Sequence, residues 1–306
     1  MSVPEAQVIA ATDAELGLIP SDKPRSVWFR AWEVFAENKL ALAGLSFVAF
    51  ILLFCFVGPY IYVTNQTSTD LVNYLCKPSG SHLLGCNDLG YDELGRLMAG
   101  GQTSIEVGLA AAIVSVFVGT IYGAISGFAG GFVDALMMRI VDAGLSLPSL
   151  VIIMILSVIF HPTPTVIIFI IAVFYWFGVA RLVRGETLSL RTREYVQAVR
   201  VIGGRPLRSV IKHIVPNAIG TIIVQATFAV ADAILTLSIL GFLTLGVAPP
   251  NTDWGSMLST GLNYIQGGNY WWLIYPPGIA IILTCISFNF IGDALRDAFE
   301  TRLQRR

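Results

Sequence analysis

Long apolar runs separated by polar stretches dominate the pattern along the chain. Each run is too long for an ordinary strand and reaches the roughly 18 to 20 residues that a helix needs to cross a bilayer. The pattern predicts six spans, at residues 40–63, 105–128, 132–160, 166–183, 218–246 and 273–294. The third and fifth runs exceed one straight crossing, and Pro148 is expected to kink the third. We therefore predict an all-α membrane protein with six transmembrane helices.

The polar stretches divide the chain into an N-terminal segment, 1–39, and a six-span domain, 40–306. The domain carries three larger loops, at 64–104, 184–217 and 247–272. The last of these is rich in Gly, Asn and aromatic residues, which predicts an irregular surface with room for a short helix. Glycine pairs at span ends, such as Gly100–Gly101 and Gly130–Gly131, are interpreted as turns.

The stretch RSVWFRAWEVFAENK, before the first span, leaves two interpretations open. It forms an amphipathic helix on the membrane surface, with Trp28 and Trp32 at the interface, or it is the end of the first span with ordinary interfacial aromatic residues. No cleavable signal is expected, because the first apolar run begins near Leu40 and acidic as well as basic residues precede it.

Composition and charge placement agree with membrane insertion. Hydrophobic residues make up 55% of the 306 residues and charged residues 13%, against roughly 25% charged in a soluble domain. When the N-terminus is placed inside, all of the 19 Lys and Arg residues fall on the inner side except Lys77 and Arg96. The positive-inside rule then predicts that both termini and the 184–217 loop are cytoplasmic.

The sequence contains none of the common catalytic motifs. None of the four lysines lies in a phosphate-binding loop, and no nucleophile elbow is present. The histidines, His82, His161 and His213, lack the spacing of metal ligands and are interpreted as loop or interface residues. We therefore predict that the chain is not an enzyme and holds no metal or cofactor.

The four cysteines fall into two pairs. Cys55 and Cys285 lie within spans and are expected to be small packing residues. Cys76 and Cys86 share the 64–104 loop, which faces the oxidising exterior in the predicted topology. A disulfide between them is favoured over two unpaired, small polar residues.

Acidic residues within spans are candidates for function, because a charge in the bilayer is costly. Asp232 lies in the middle of the fifth span and is predicted to line a polar pathway or to pair with a neighbouring subunit. Glu106, Asp134, Asp142 and Asp293 lie nearer span ends, where solvated or helix-capping roles are expected.

The stretch REYVQAVRVIGGRPLRSVIKHIVPN, 193–217, is basic and interrupts the apolar pattern. It predicts two short helices joined at Gly203–Gly204, where a left-handed helix cap requires glycine, with Pro206 in the first turn of the second helix. Pro216 then marks the bend into the fifth span. A rigid projection that docks a soluble partner is favoured over a loop that serves only the positive-inside rule, because such a loop would not need a tight turn.

This stretch resembles the conserved cytoplasmic loop of bacterial ATP-binding cassette importer permeases, in which Glu-Ala-Ala is followed by a Gly and later a Pro. The matching residues are Gln197-Ala198-Val199, Gly203 and Val215-Pro216. Segments 82–109, 241–258 and 288–306 resemble the dipeptide/oligopeptide permeases. Together with the N-terminal extension, they are similar to the C-type subunit of that family.

The resemblance implies a type I importer permease fold and a subunit that forms the translocation pathway for peptides. Its implied partners are a second, B-type permease subunit, one or two cytoplasmic ATPase subunits, an extracytoplasmic peptide-binding protein and membrane lipid, without nucleic acid. ATP and Mg²⁺ would be bound by the ATPases. The implied location is the bacterial inner or plasma membrane.

The resemblance also implies which residues couple the permease to the ATPase. They are Glu194, Gln197, Ala198, Gly203, Gly204, Arg205, Pro206 and Pro216. Gln197 departs from the family's glutamate, which removes a charge but keeps a hydrogen-bonding group of similar shape.

Other functions remain as alternatives. Related permeases carry nickel or glutathione, and a membrane protein that docks a signalling partner would also accommodate the 193–217 projection. A secondary transporter would show inverted repeats and ion-coupling residues near the bilayer midplane, and we find neither in the sequence.

The predicted topology can be tested by labelling engineered cysteines in intact cells. Ser81→Cys and Asn263→Cys lie in the two loops assigned to the exterior, so both should react with a membrane-impermeant maleimide added from outside. A cysteine at Ser189, in the loop assigned to the cytoplasm, is the matched control and should react only after lysis. Labelling of position 81 or 263 only after lysis would contradict the topology.

Overall fold

The computed structural model describes residues 27–66, 68–201, 210–264 and 268–304. Its ordered elements are helices, and no strand occurs among the described residues. We number the helices α1 (Val27–Glu37), α2 (Lys39–Phe56), α3 (Gly58–Ile61), α4 (Glu93–Ala129), α5 (Gly131–Ser146), α6 (Ser149–Ile159), α7 (Pro164–Leu190), α8 (Glu194–Val201), α9 (Val215–Phe242), α10 (Trp254–Tyr264) and α11 (Trp271–Gln304). The predicted all-α class is confirmed.

Five of the described helices, α2, α4, α7, α9 and α11, are long and apolar enough to cross a membrane. The pair α5 and α6 gives a sixth crossing if counted as one span, with a bend of 79° between its halves. The break falls at Leu147 and Pro148, where the sequence predicted a kink. Proline at this position lacks the N–H that would continue the helical hydrogen bonds.

The outward faces of these helices are apolar, as a lipid-facing surface requires. Along α4, Ile113 and Phe117 are each 66% exposed, and Phe50 on α2 is 59% exposed. The short helix α1 is separate from the first span. It buries Phe35 against Ala41 and Ala294, whereas Trp32 on the same helix is 54% exposed.

Helix α4 begins at Glu93 and not near Ile105, so its first turns lie where the sequence predicted a loop. The Asp92 side chain caps the helix by accepting a hydrogen bond from the Gly95 N–H at 2.9 Å. Hydropathy did not mark this extension, because its residues pack against protein and not lipid.

Gly100 and Gly101 lie inside α4, so their interpretation as a turn is wrong. A Cβ atom on Gly101 would collide with the sulfur of Cys55 and lie 2.8 Å from the ring of Trp254. The two glycines therefore leave room for the fully buried Trp254, whose indole N–H donates to the Leu97 carbonyl at 3.0 Å. By contrast, Gly130 and Gly131 have positive φ angles of 67° and 57° and form the turn from α4 to α5 that the sequence predicted.

Glycines also bring α4 against α7. Gly119, Gly123 and Gly127 recur at intervals of four residues and form one face of α4. A Cβ atom on Gly119 would lie 2.6 Å from Cβ of Val179, and one on Gly127 would lie 2.8 Å from Cβ of Thr187. At Gly123 the added atom would collide with a carbonyl oxygen of α7. Only glycine permits the two backbones to approach this closely.

Asp134 was expected to be solvated or to cap a helix, but its carboxylate is buried and paired. Arg184 on α7 donates two hydrogen bonds to it, and the Ser126 hydroxyl on α4 donates a third at 2.6 Å. The interaction joins α4, α5 and α7 at one end of the bundle. Asp134 also lies in the first turn of α5, where the helix dipole favours a negative charge.

Two Asp–Arg pairs between α5 and α7 allow a controlled test of this interaction. Asp134→Asn should lower the free energy of unfolding by roughly 2–3 kcal/mol, less than for a fully buried pair because the Arg184 side chain is 31% exposed. Asp142→Asn removes the same charge from a pair whose side chains are 51% and 55% exposed, and should cost about 1 kcal/mol or less. Unfolding of the detergent-solubilised protein by heat or denaturant measures both variants. Equal losses would contradict the larger contribution that we assign to the more buried Asp134–Arg184 pair.

Candidate functional site

The structure describes only part of the predicted coupling stretch, residues 193–217. Its first helix is present as α8, with Glu194 in the first turn and Gln197 exposed on the surface. The Gln197 side-chain amide donates to the Thr192 carbonyl at 3.1 Å, so its side chain turns back toward the end of α7. Ala198 lies within α8, and Pro216 lies exposed in the first turn of α9. Gly203, Gly204, Arg205 and Pro206 lie outside the described residues, so the predicted turn remains a prediction.

Two arginines at the end of α7, just before this stretch, bond to the neighbouring helices α4 and α5. Helix α7 continues to Leu190, past the predicted span end at residue 183. Arg184 on this extension bonds Asp134, and Arg191, which caps α7, donates to the Gly127 carbonyl of α4 at 2.9 Å. The sequence analysis assigned both arginines only a topological role. Their spacing of seven residues, two helical turns, is the signal that places them on one face.

Asp232 is exposed on the surface of α9 in the isolated chain. Next to it, the Tyr175 hydroxyl of α7 donates to the backbone carbonyl of Asp232 at 3.2 Å and contacts the Thr236 hydroxyl. The Asp232 carboxylate itself forms no hydrogen bond or ion pair among the described residues. An exposed acid on a membrane-spanning helix is compatible with either predicted role, a polar pathway or a neighbouring subunit.

The structure joins Cys76 and Cys86 in a disulfide, whereas Cys55 and Cys285 are free. Cys86 is fully buried, and its carbonyl accepts a hydrogen bond from the Trp272 indole at 3.3 Å. The disulfide closes a loop within the segment before α4, and the hydrogen bond from Trp272 joins this loop to the start of α11. We call this end of the bundle the disulfide end.

Asp92 organises the same region. The Tyr62 hydroxyl donates to its Oδ2 atom at 2.9 Å, and His82 Nδ1 lies 2.9 Å from the same oxygen. Burial and the hydrogen bond to Asp92 raise the pKa of Tyr62. His82 also lies near the sulfurs of Cys76 and Cys86, the one cluster of metal-ligand types within the described ranges. Disulfide sulfurs are not thiolates, so this cluster does not hold a metal in the oxidised protein.

A cavity of about 310 Å³ opens at the disulfide end, between the start of α4, the end of α9 and helix α10. Its polar lining comprises Asn87, Asp88, Tyr91, Glu93, Arg96, Thr244, Asn251, Thr252, Ser256, Ser259, Thr260 and Asn263. Sequence analysis missed this cavity, because its walls come from segments that are far apart in the chain. Arg96, one of the two positive charges assigned to the exterior, was the only signal.

The charged groups in and behind the cavity wall differ in their burial and in their hydrogen-bond partners. Glu93 is 2% exposed, and Arg96 donates to the Pro250 carbonyl at 3.0 Å and lies 5.1 Å above the centre of the Tyr91 ring. Behind the wall, Asp253 is fully buried and accepts hydrogen bonds from the N–H groups of Ser256 and Val247. Burial raises the pKa of Asp253, and these hydrogen bonds oppose the increase.

The disulfide can be tested by counting thiols. Alkylation of the denatured, unreduced protein should modify two cysteines, Cys55 and Cys285, and reduction should raise the number to four. Cys76→Ser should lower local stability by about 2–3 kcal/mol, because the disulfide closes a short loop. Intact-mass spectrometry after alkylation gives the count, with Cys285→Ser as the control that removes one adduct. Four adducts without reduction would contradict the disulfide.

The long apolar helices and their exposed apolar faces define a multi-pass membrane protein. Residues 119–305 match the family described as binding-protein-dependent transport system inner membrane component. Residues 26–78 match the N-terminal transmembrane domain of oligopeptide transport permease C. The chain therefore belongs to the family of inner membrane components of binding-protein-dependent transport systems.

Curated relatives are similar over nearly the whole chain. The oligopeptide transport system permease protein OppC of Bacillus subtilis is 39% identical over 285 residues, which cover 93% of this chain and 93% of the relative. The dipeptide transport system permease protein DppC of the same organism is 38% identical, over 90% and 86% of the two chains. OppC of Escherichia coli is 38% identical, over 91% and 92%.

Proposed function

We propose that this chain is a permease subunit of an ATP-driven importer of dipeptides or oligopeptides. The observation that carries the proposal is its similarity to OppC and DppC permeases over about nine-tenths of both chains. The helix α8, which follows a membrane-spanning helix and precedes Pro216, supports it, because it lies where the resemblance puts the ATPase contact. The family match over residues 119–305 favours a transport permease over the docking or signalling protein that the sequence left open.

The subunit itself is non-catalytic in this proposal. One or two cytoplasmic ATPase subunits bind ATP and Mg²⁺, and a second, B-type permease subunit completes the pathway. A peptide-binding protein delivers substrate from outside the membrane. Both termini face the cytoplasm, and the disulfide end faces the exterior, where an oxidising environment preserves the Cys76–Cys86 bond.

Coupling then proceeds through the 193–215 stretch. When ATP binding closes the ATPases, the stretch is displaced, and α7 carries the displacement into the bundle. Arg184 and Arg191 would transmit it to α5 and α4 through the Asp134 carboxylate and the Gly127 carbonyl. The spans thereby alternate between inward-open and outward-open arrangements. Asp232, exposed on α9, would face the pathway or the second permease subunit.

The coupling role can be tested at the predicted turn. Gly203→Val should weaken association with the ATPase and abolish peptide uptake, because valine does not readily adopt the left-handed conformation of a helix cap. Membrane expression should remain normal, since the apolar spans are unchanged. Co-purification of the ATPase and peptide uptake by reconstituted complexes measure both effects.

Two control variants sharpen this test. Gly185→Val introduces the same side chain on α7, at a glycine where an added Cβ atom meets open space, and should leave uptake near the wild-type rate. Gln197→Glu should also be tolerated, since it removes only an exposed hydrogen bond to Thr192. Wild-type uptake by Gly203→Val would refute the coupling role. The proposed function would be refuted if the wild-type chain is purified without an ATPase subunit and imports no peptide.

A further inference from the structure

Glu93 stands out among the groups that line the cavity at the disulfide end. Its residue is 2% exposed, and its carboxyl group makes no hydrogen bond or ion pair among the described residues. A buried carboxylate without a partner is costly, because the lost hydration is not replaced, so burial favours the neutral acid. A cationic ligand that donates hydrogen bonds to Glu93 would offset this cost and favour the carboxylate.

The other charged groups of the lining already have contacts. Arg96 is engaged by the Pro250 carbonyl and the Tyr91 ring, and Asp88 accepts a hydrogen bond from the Tyr264 hydroxyl at 3.4 Å. In the empty cavity the buried Glu93 is favoured as the neutral acid, so Asp88 and Arg96 balance each other. An ammonium group that enters the cavity favours ionisation of Glu93, and the new carboxylate then pairs with the ammonium charge.

An organic ammonium fits this cavity better than a metal ion. The carboxylates of Asp88 and Glu93 do not belong to any cluster of converging metal ligands in the described part of the chain. Divalent cations such as Ca²⁺ require six or more oxygen ligands close together. A volume of about 310 Å³ lies at the lower end of the range for small-molecule sites, which suits a short organic molecule.

We propose that this cavity binds the ammonium-bearing end of a short peptide, with the Glu93 carboxylate accepting hydrogen bonds from the α-ammonium group. The hydroxyl groups of Ser256 and Thr260 and the amide of Asn263 line the wall along which the peptide backbone lies. This inference rests on the proposed function. It adds a receiving site on the permease itself, between release from the binding protein and passage into the pathway.

The location supports such a transfer. Glu93 and Arg96 lie in the first turns of α4, whose other end holds Ser126, the hydroxyl bonded to Asp134. A ligand at Glu93 therefore contacts the same helix that the proposed coupling contacts reach. Recognition of a free ammonium also selects peptides over neutral or anionic solutes of similar size.

Binding can be measured on the purified permease–ATPase complex without the binding protein. The probes are glycylglycine and N-acetylglycylglycine, which differ in the α-ammonium group, and saturation-transfer difference NMR gives their affinities. We expect glycylglycine to bind the wild-type complex and to bind Glu93→Gln roughly tenfold or more weakly, because a charge-assisted hydrogen bond is lost. N-acetylglycylglycine should bind neither complex detectably.

Matched variants separate binding from folding. Glu93→Asp keeps the charge and should retain glycylglycine binding within a few-fold of the wild-type affinity. Glu106→Gln makes the same change as Glu93→Gln on the exposed face of α4, outside the cavity, and should bind like the wild type. Thermal midpoints of all variants show whether any of them is misfolded.

The outcomes are distinct for the two proposals. Equal binding of glycylglycine to wild type and Glu93→Gln, equal binding of the acetylated probe, or no binding to the wild type would each overturn the receiving site. Weaker docking of the binding protein to Glu93→Gln, without glycylglycine binding to the wild type, would instead assign the ammonium to a lysine of that protein and also overturn it. If the wild-type complex imports no peptide, the proposed function is refuted. If it imports peptide but does not bind glycylglycine, only the receiving site is refuted.

Discussion

Close contact between the backbones of α4 and α7 is the constraint on which most of the structure depends. In a bilayer the lipid tails are as apolar as leucine, so helices gain little from burying apolar side chains against each other. They associate through close packing, and the glycine face of α4, at residues 119, 123 and 127, provides it. This contact brings Arg184 and Arg191 of α7 within reach of groups on α5 and α4.

Helix α4 links the two ends of the bundle. It has 37 residues and, if straight, spans about 55 Å. One end carries Glu93 and Arg96 in the cavity, beside the region fastened by the disulfide and Asp92. The other end carries Ser126 and Gly127, which contact Asp134 and Arg191. A rigid helix of this length can relate events at one membrane surface to events at the other.

Hydropathy predicted the lipid-facing part of the fold well, because it reports which residues face lipid. The break at Pro148 was predictable for a local reason, the missing proline N–H. The early start of α4 was not predictable, since residues 93–104 pack against α10 and carry no apolar signal. Gly100 and Gly101 look like a turn in sequence, and only the position of Trp254 explains them as a packing site.

The candidate sites show the same division between local and long-range signals. The helix α8 and the Cys76–Cys86 pair depend on residues close in sequence, so both could be predicted. The Asp134–Arg184 pair and the cavity around Glu93 join segments separated by 50 or more residues. The sequence marks Arg96 and the spacing of Arg184 and Arg191, but it does not show which distant residues they meet, because each residue alone is compatible with a solvated role.

The bend between α5 and α6 restricts what can surround this chain in a membrane. Helix α6 has 11 residues and a length of about 16 Å, about half the hydrocarbon thickness. At the break the carbonyls of Leu145 and Ser146 accept no hydrogen bond among the described residues, and residues 145–151 are exposed on the isolated chain. Lipid cannot hydrogen-bond these carbonyls, and each unsatisfied group would cost several kcal/mol. Whether α5 and α6 form one broken span or a re-entrant loop, the break must border another protein surface or water, so a monomer surrounded by lipid is not a complete folding unit.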